Sequence, residues 1–265
     1  MRQHLPSIVL LTLLANENVA SGQLQGIAED HLNRAKRLAN AFNWTDAGPH
    51  FREAARLLGL QGDAKLVYQS KLGVMRSTTA NLVIPAVLLK LEDDLRNLPF
   101  LQTDRRLRMF CLIVKGDFDG ESDHSAMERD WGEVHRLARE LGDEAWQNRA
   151  LAQLGIAAFY NGDLEGARER VGKAMLEAHR IGDKPGEMVA LSFMAHGLNL
   201  TRLFNQALPI VDRAIKLAKE DPDIGYPYVA LETKLVALIG TGQLEAAQRL
   251  VDEMLLFARK SPGGA

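Results

Sequence analysis

Pairs of helix-closing and helix-capping residues return along this chain at a nearly constant interval, and that recurrence narrows the choice of folds more than any other feature. Gly62-Asp63, Thr103-Asp104, Gly142-Asp143, Gly182-Asp183 and Pro222-Asp223 place their aspartates 41, 39, 40 and 40 residues apart. One further period back falls on Gly22-Gln23. Each pair follows a basic or apolar run with helical spacing, such as Arg136-Leu137-Ala138-Arg139-Glu140-Leu141 or Ala178-His179-Arg180-Ile181. Glycine closes a helix because it enters the left-handed region without a Cβ clash. Aspartate opens one because its carboxylate accepts from the unpaired amides of the first turn. The interval therefore marks a repeated helix boundary, and a period of this length belongs to stacked repeats that bury their apolar faces against one another.

A second series lies half a period away. Asn161-Gly162-Asp163-Leu164, Leu203-Phe204-Asn205-Gln206 and Thr241-Gly242-Gln243-Leu244 precede Ala167 and Ala174, Ala207 and Ala214, and Ala247 and Met254. The same frame recurs as Ala47, Phe51 and Ala54 after Phe42-Asn43-Trp44. These are i, i+4, i+7 positions on one helix face, with alanine where two helices approach closely. Each unit reads as a helical hairpin, with units at 22–62, 63–102, 103–142, 143–182, 183–222 and 223–260 in one continuous domain. The register loosens over residues 78–105, where Pro85 is expected to interrupt a second helix and Asn97-Leu98-Pro99 to close it early. Residues 115–123 read as a turn several residues longer than the others.

Leu154-Gly155 followed by Ala167, Val171 and Ala174 resembles the second half of a tetratricopeptide (TPR) signature, and Ala207-Val211-Ala214 and Ala247-Val251-Met254 repeat it. The 40-residue period resembles the longer-helix TPR arrays of bacterial regulators, such as the helical regions of LuxR-type activators and CHAT-protease-associated sensors. A HEAT-like array has a similar period, and the spaced alanines favour TPR. The resemblance implies an all-α fold, a right-handed superhelical solenoid of about six antiparallel hairpins. It also implies a concave groove lined by the first helix of each unit. The TPR frame puts Arg149, Ile156, Phe159 and Tyr160, then Ser192, His196 and Asn199, then Glu232, Val236 and Ile239 on that face. Such a mixture suits an extended or helical peptide. The family's carboxylate clamp has one pair here, Lys36 and Asn40, which does not make a clamp.

Composition removes several other functions. With 32 basic and 34 acidic residues interspersed and a net charge of -2, the chain has no electrostatic footprint for nucleic acid. Cys111, the single cysteine, sits in the apolar run Met109-Phe110-Cys111-Leu112-Ile113-Val114 and reads as a buried thiol. Residues 1–21 have the layout of a signal peptide, with Arg2 before an apolar stretch too short to span a bilayer. The alternative is a partial leading helix. A cleaved leader implies a periplasmic or secreted assembly factor, whereas a leading helix leaves the chain in the cytoplasm.

Asp117-Phe118-Asp119-Gly120-Glu121-Ser122-Asp123 with Glu128 has EF-hand oxygen spacing, but Ser122 occupies the position that needs glycine, so an acidic turn with a capping residue is expected. The seven histidines include no paired ligand set, and no phosphate-binding or nucleophile-elbow motif is present. No metal, cofactor or catalytic group is therefore expected. The expected function is a non-enzymatic scaffold for a protein or peptide in bacterial signalling; the alternative is an accessory region of a larger signalling enzyme or CHAT-type protease. At the chain's end, residues 254–257 are apolar nearly all round the helix, which calls for a cover by self-association or a downstream domain.

Overall fold

The computed structural model describes residues 6–60, 63–78 and 85–260, with the backbone alone for residues 6–21, 23 and 260. Among these residues there are thirteen helices and no strand, so the all-α expectation holds. The chain divides into two compact units, Met1–Leu82 and Val83–Ala265. The division falls in the segment where the repeat register loosens.

The first unit holds α1 (Pro6–Asn40), α2 (Trp44–Gly59) and α3 (Ala64–Thr78), with α2 packed against both neighbours. Ala28, Leu32, Ala35 and Leu38 form the buried stripe of α1, and Ala47, Phe51 and Ala54 that of α2. The helix boundary extrapolated to Gly22-Gln23 is absent, because α1 runs through it unbroken. One glycine costs a helix only about 1 kcal/mol, and no capping carboxylate stands beside Gly22 to end it. The leader and leading-helix readings of residues 1–21 rest on residues 1–5 and on side chains that lie outside the described residues.

The second unit begins with α4 (Pro85–Asn97), α5 (Pro99–Thr103), α6 (Arg105–Asp119) and α7 (His124–Glu140). It continues with α8 (Glu144–Tyr160), α9 (Leu164–Ile181), α10 (Lys184–Leu200), α11 (Phe204–Glu220), α12 (Tyr228–Gly240) and α13 (Leu244–Lys260). Pro85 is the first residue of α4, not an interruption, since the missing N–H would have had no partner in a first turn. Asn97-Leu98-Pro99 does close α4, and Pro99 opens α5. The turn expected over residues 115–123 shrinks to residues 120–123, because α6 runs on to Asp119 and Asp123 caps α7.

From α7 onward the half-period is as regular as the full one. Helices start at His124, Glu144, Leu164, Lys184 and Phe204, twenty residues apart, and Leu244 stands in the same register. The turns between them share one design. The second residue after the helix, or the first at Gly182, takes a left-handed conformation, with φ from 66° to 88° at Gly142, Gly162, Gly182 and Gly242 and 60° at Arg202. The next amide then reaches back five residues: Asp143 to Ala138, Asp163 to Ala158, Asp183 to Ala178, Leu203 to Leu198 and Gln243 to Leu238, at 2.8–2.9 Å. Where that next residue is aspartate, its carboxylate accepts from the new first turn, as Asp143 does from Trp146 and Asp183 from Gly186.

Pro222-Asp223 breaks the pattern. Asp223 is not the cap of α12, which starts at Tyr228 behind Pro227. A helix begun at Pro222 or Asp223 would carry Pro227 in its interior, where it has no N–H to give the carbonyl four residues back, so α12 starts only after it. The register nevertheless returns before the end of α12, since Gly240 stands forty residues after Leu200.

Within this unit each helix packs on the next from α6 to α13, and the first helices α8, α10 and α12 also touch in succession. That arrangement is a helical solenoid. A continuous core joins Met109 and Leu112 of α6, Trp131 and Val134 of α7, and Ala150 and Ile156 of α8. Cys111 is fully buried. Gly155 allows α8 to approach α9 so closely that a Cβ there would lie 2.7 Å from Val171 Cγ2.

Candidate interaction surface

The regular turns place residues forty apart in columns along the second unit. One column set runs down the first helices: 149, 152, 156 and 159 on α8; 189, 192, 196 and 199 on α10; 229, 232, 236 and 239 on α12. Positions i, i+3, i+7 and i+10 form a single helix stripe. The residues proposed from the sequence for a groove fall on it, except Tyr160.

On α8 and α10 that stripe faces the next first helix, not an open groove. Arg149 is buried, and its Nε and an Nη donate to the two Asp183 carboxylate oxygens at 2.8 and 2.5 Å. Its guanidinium also lies 5.1 Å from the centre of the Trp146 ring. Because Asp183 is at the same time the cap of α10, this fork ties α8 to the start of α10. Asn199 is buried on α10 and donates from Nδ2 to the Thr233 carbonyl of α12 at 2.8 Å. Its Oδ1 has no partner. Ser192, also buried, donates to the Met188 carbonyl in its own helix at 2.7 Å. Arg149, Ser192 and Asn199 are thus buried, and Arg149 and Asn199 each bond to the start or backbone of the next first helix. Residue spacing identifies the stripe, but only the crossing of the helices decides whether solvent or a neighbour meets it.

The remaining four candidates divide. Phe159 and His196 are half-buried. Tyr160 is exposed and stacks on His124 of α7, with ring centres 4.3 Å apart and an interplanar angle of 8°. Glu232 is exposed on α12, as are Val236 and Ile239 in the same stripe. The structure thus brings no common site together from the seven residues.

What the sequence reading missed is the change along the column. Forty residues before the α8 stripe, Met109, Leu112, Gly116 and Asp119 are buried too. On α12, Val229, Val236 and Ile239 are 49%, 45% and 54% exposed. The second helices follow suit: Ile215 of α11 is buried, whereas its counterpart Leu255 on α13 is exposed, with Leu256 beside it. The apolar end run 254–257 is covered in part from within, since the Phe257 ring stacks on Tyr226 with centres 3.6 Å apart. Val229 could have been found by stepping back forty residues to Val189 and eighty to Arg149.

Several buried charged groups tie helices together. Lys115 is buried and donates to Asp119 at 2.7 Å and to Asp130 of α7 at 2.8 Å, with Glu92 of α4 at 3.7 Å. Burial pushes the Asp119 carboxyl up to about 6; a hydrogen bond to Asp130 adds to this and the Lys115 ammonium opposes it. Asp119 thus faces an ammonium, and Asp123 accepts from the Ala126 amide, so the acidic run does not converge on a point. Among the described residues no three His, Cys, Asp or Glu side chains gather as metal ligands, and no helix is long and apolar enough to cross a membrane. In a second cross-helix tie, the buried Glu187 of α10 accepts from Arg213 of α11 and lies 3.2 Å from His179 Nδ1 of α9.

The second unit is therefore a helical repeat array whose first-helix stripe is buried or half-buried on α6, α8 and α10 and exposed on α12. No family model and no curated protein matches the sequence.

Proposed function

We propose that the chain is a non-enzymatic protein-binding scaffold of tetratricopeptide type that serves a bacterial regulatory system by holding a segment of another protein. One observation supports this reading above the rest: Val229, Val236 and Ile239 stand open on α12, continued by Leu255 and Leu256 on α13. Exposed apolar side chains along one helix stripe with a charged residue, Glu232, among them are the usual composition of a macromolecular contact. The surface of interest is thus the end of the array and not the column through Arg149 and Asn199.

Affinity capture from the source cells tests the proposal, with wild type compared to a Val236→Asp/Ile239→Asp variant whose circular dichroism is unchanged. The expected result is a defined protein held by wild type, lost by the variant, and retained by Lys173→Ala on an exposed face of α9. Equal recovery by all three chains would remove the α12 surface from the function.

A further inference from the structure

The array contains its own template for what covers the open stripe. On α8 it is met by α10, and on α10 by α12, a helix in both cases. Each meeting is pinned by a polar anchor at one end of the stripe. The α8 anchor is Arg149 reaching Asp183, and the α10 anchor is Asn199 reaching the Thr233 carbonyl. On α12 the residues in these two columns are Val229 and Ile239, and both anchors are gone. The column through Ala152 and Ser192 arrives instead at Glu232, a carboxylate set between apolar neighbours.

Resting on the scaffold reading above, we infer that the occupant is an amphipathic α-helix of a partner protein, docked on α12 as each following first helix docks on its predecessor. Its chemistry follows from the columns. The stripe from Val229 to Ile239 extends about 15 Å, so the docked helix presents roughly three turns of apolar residues at i, i+3 or i+4 and i+7. With Arg149 and Asn199 replaced by Val229 and Ile239, it needs neither a leading aspartate nor an open carbonyl. It does need a lysine or arginine opposite Glu232, because an unpaired carboxylate enclosed by apolar contacts opposes binding. An extended peptide would satisfy none of these columns, since its side chains alternate every second residue.

The test uses a fluorescent alanine-based peptide of about 18 residues, long enough to populate a helix, carrying one leucine stripe and one lysine within it. A scrambled peptide of the same composition and a version with glutamate for the lysine complete the set. Anisotropy titration of the full chain is expected to rank the lysine helix first, with the scrambled peptide about tenfold weaker or worse. Val236→Asp is expected to abolish the difference between helix and scramble, and Glu232→Lys to reverse the preference between the lysine and glutamate peptides. Equal binding of helix and scramble, or binding indifferent to Val236→Asp, overturns the inference. So does a concentration-dependent dimer in sedimentation that Val236→Asp dissolves, since it would seat a second copy on the stripe. A cellular protein captured through the stripe while no helical peptide binds would refute the helical occupant and leave the scaffold standing. Capture indifferent to the stripe would refute the scaffold reading itself.

Discussion

The buried pair Arg149 and Asp183 shows how much one residue's role depends on its neighbour. Both side chains are under a tenth exposed, and the pair is bidentate. Arg149→Ala leaves the Asp183 carboxylate enclosed without its counter-charge, which typically costs about 3–5 kcal/mol. Denaturant unfolding should register a loss of that size; a loss under about 0.5 kcal/mol would place the pair among ordinary surface contacts. Lysine should not substitute, since a point charge cannot form the fork. Asp119 contributes one pH dependence, opposed by His135 of α7, whose imidazole is held below its ordinary range by burial and whose contribution is lost as pH falls. The folded Asp119 carboxyl titrates near 6, above the ordinary 3.8, so its contribution to stability is fully present below the unfolded value and is lost as pH rises through about 6. Hydrogen exchange in α6 and α7, corrected for intrinsic rates, should show about tenfold more protection at pH 5 than at pH 7.5. Asp119→Asn should flatten that difference, and a profile unchanged by the substitution would assign the dependence to other groups. The Lys115 ammonium works in the opposite range. Asp119 and Asp130 raise it despite its burial, so its contribution persists through neutral pH and is lost only as pH rises beyond its raised value.

At the scale of the element, the three-residue turn is the unit of construction. Four of the left-handed positions are glycine and two others hold Phe42 and Arg202, both with positive φ. A side chain with a Cβ pays about 1 kcal/mol in that region, so Arg202→Gly should stabilise the α10–α11 hairpin, by up to about 1 kcal/mol after glycine's greater freedom in the unfolded chain is counted. Calorimetry decides between a rise in Tm and a fall. Gly155 acts in the helix interior instead. Gly155→Ala puts a Cβ 2.7 Å from Val171 Cγ2 and 3.1 Å from the Val171 amide nitrogen, so α8 and α9 must separate, at a cost of about 1–3 kcal/mol. Helix propensity alone predicts the opposite sign, which makes the measured direction diagnostic.

For the molecule, the decisive comparison lies between two isoleucines. Ile156 on α8 is 7% exposed, and Ile239, one column further along the stripe on α12, is 54% exposed. Ile239→Lys should stay within about 0.5 kcal/mol of wild type, whereas Ile156→Lys buries an unpaired charge and should unfold the second unit or lower its stability by several kcal/mol. If both are tolerated alike, the stripe is not a stacking face. Repeat arrays make such comparisons meaningful, since each repeat contacts its neighbours and stability is nearly a sum of local terms.

Helix, turn and period were legible in the residues because their causes are local: a carboxylate capping the next amides, a glycine at positive φ, alanines where two helices touch. Asp143, Asp183 and Gly182 declare these roles without knowledge of the rest of the chain. Local signals also misled where a nearby residue outweighed them, as Pro227 did at Asp223 and uninterrupted helix formers did at Gly22. The tertiary structure alone decided which stripe is closed. Arg149, Asn199 and Ile239 belong to one stripe by spacing, but burial depends on whether another helix crosses it. That crossing is fixed by packing across a whole repeat, a non-local fact that no spacing within a helix contains.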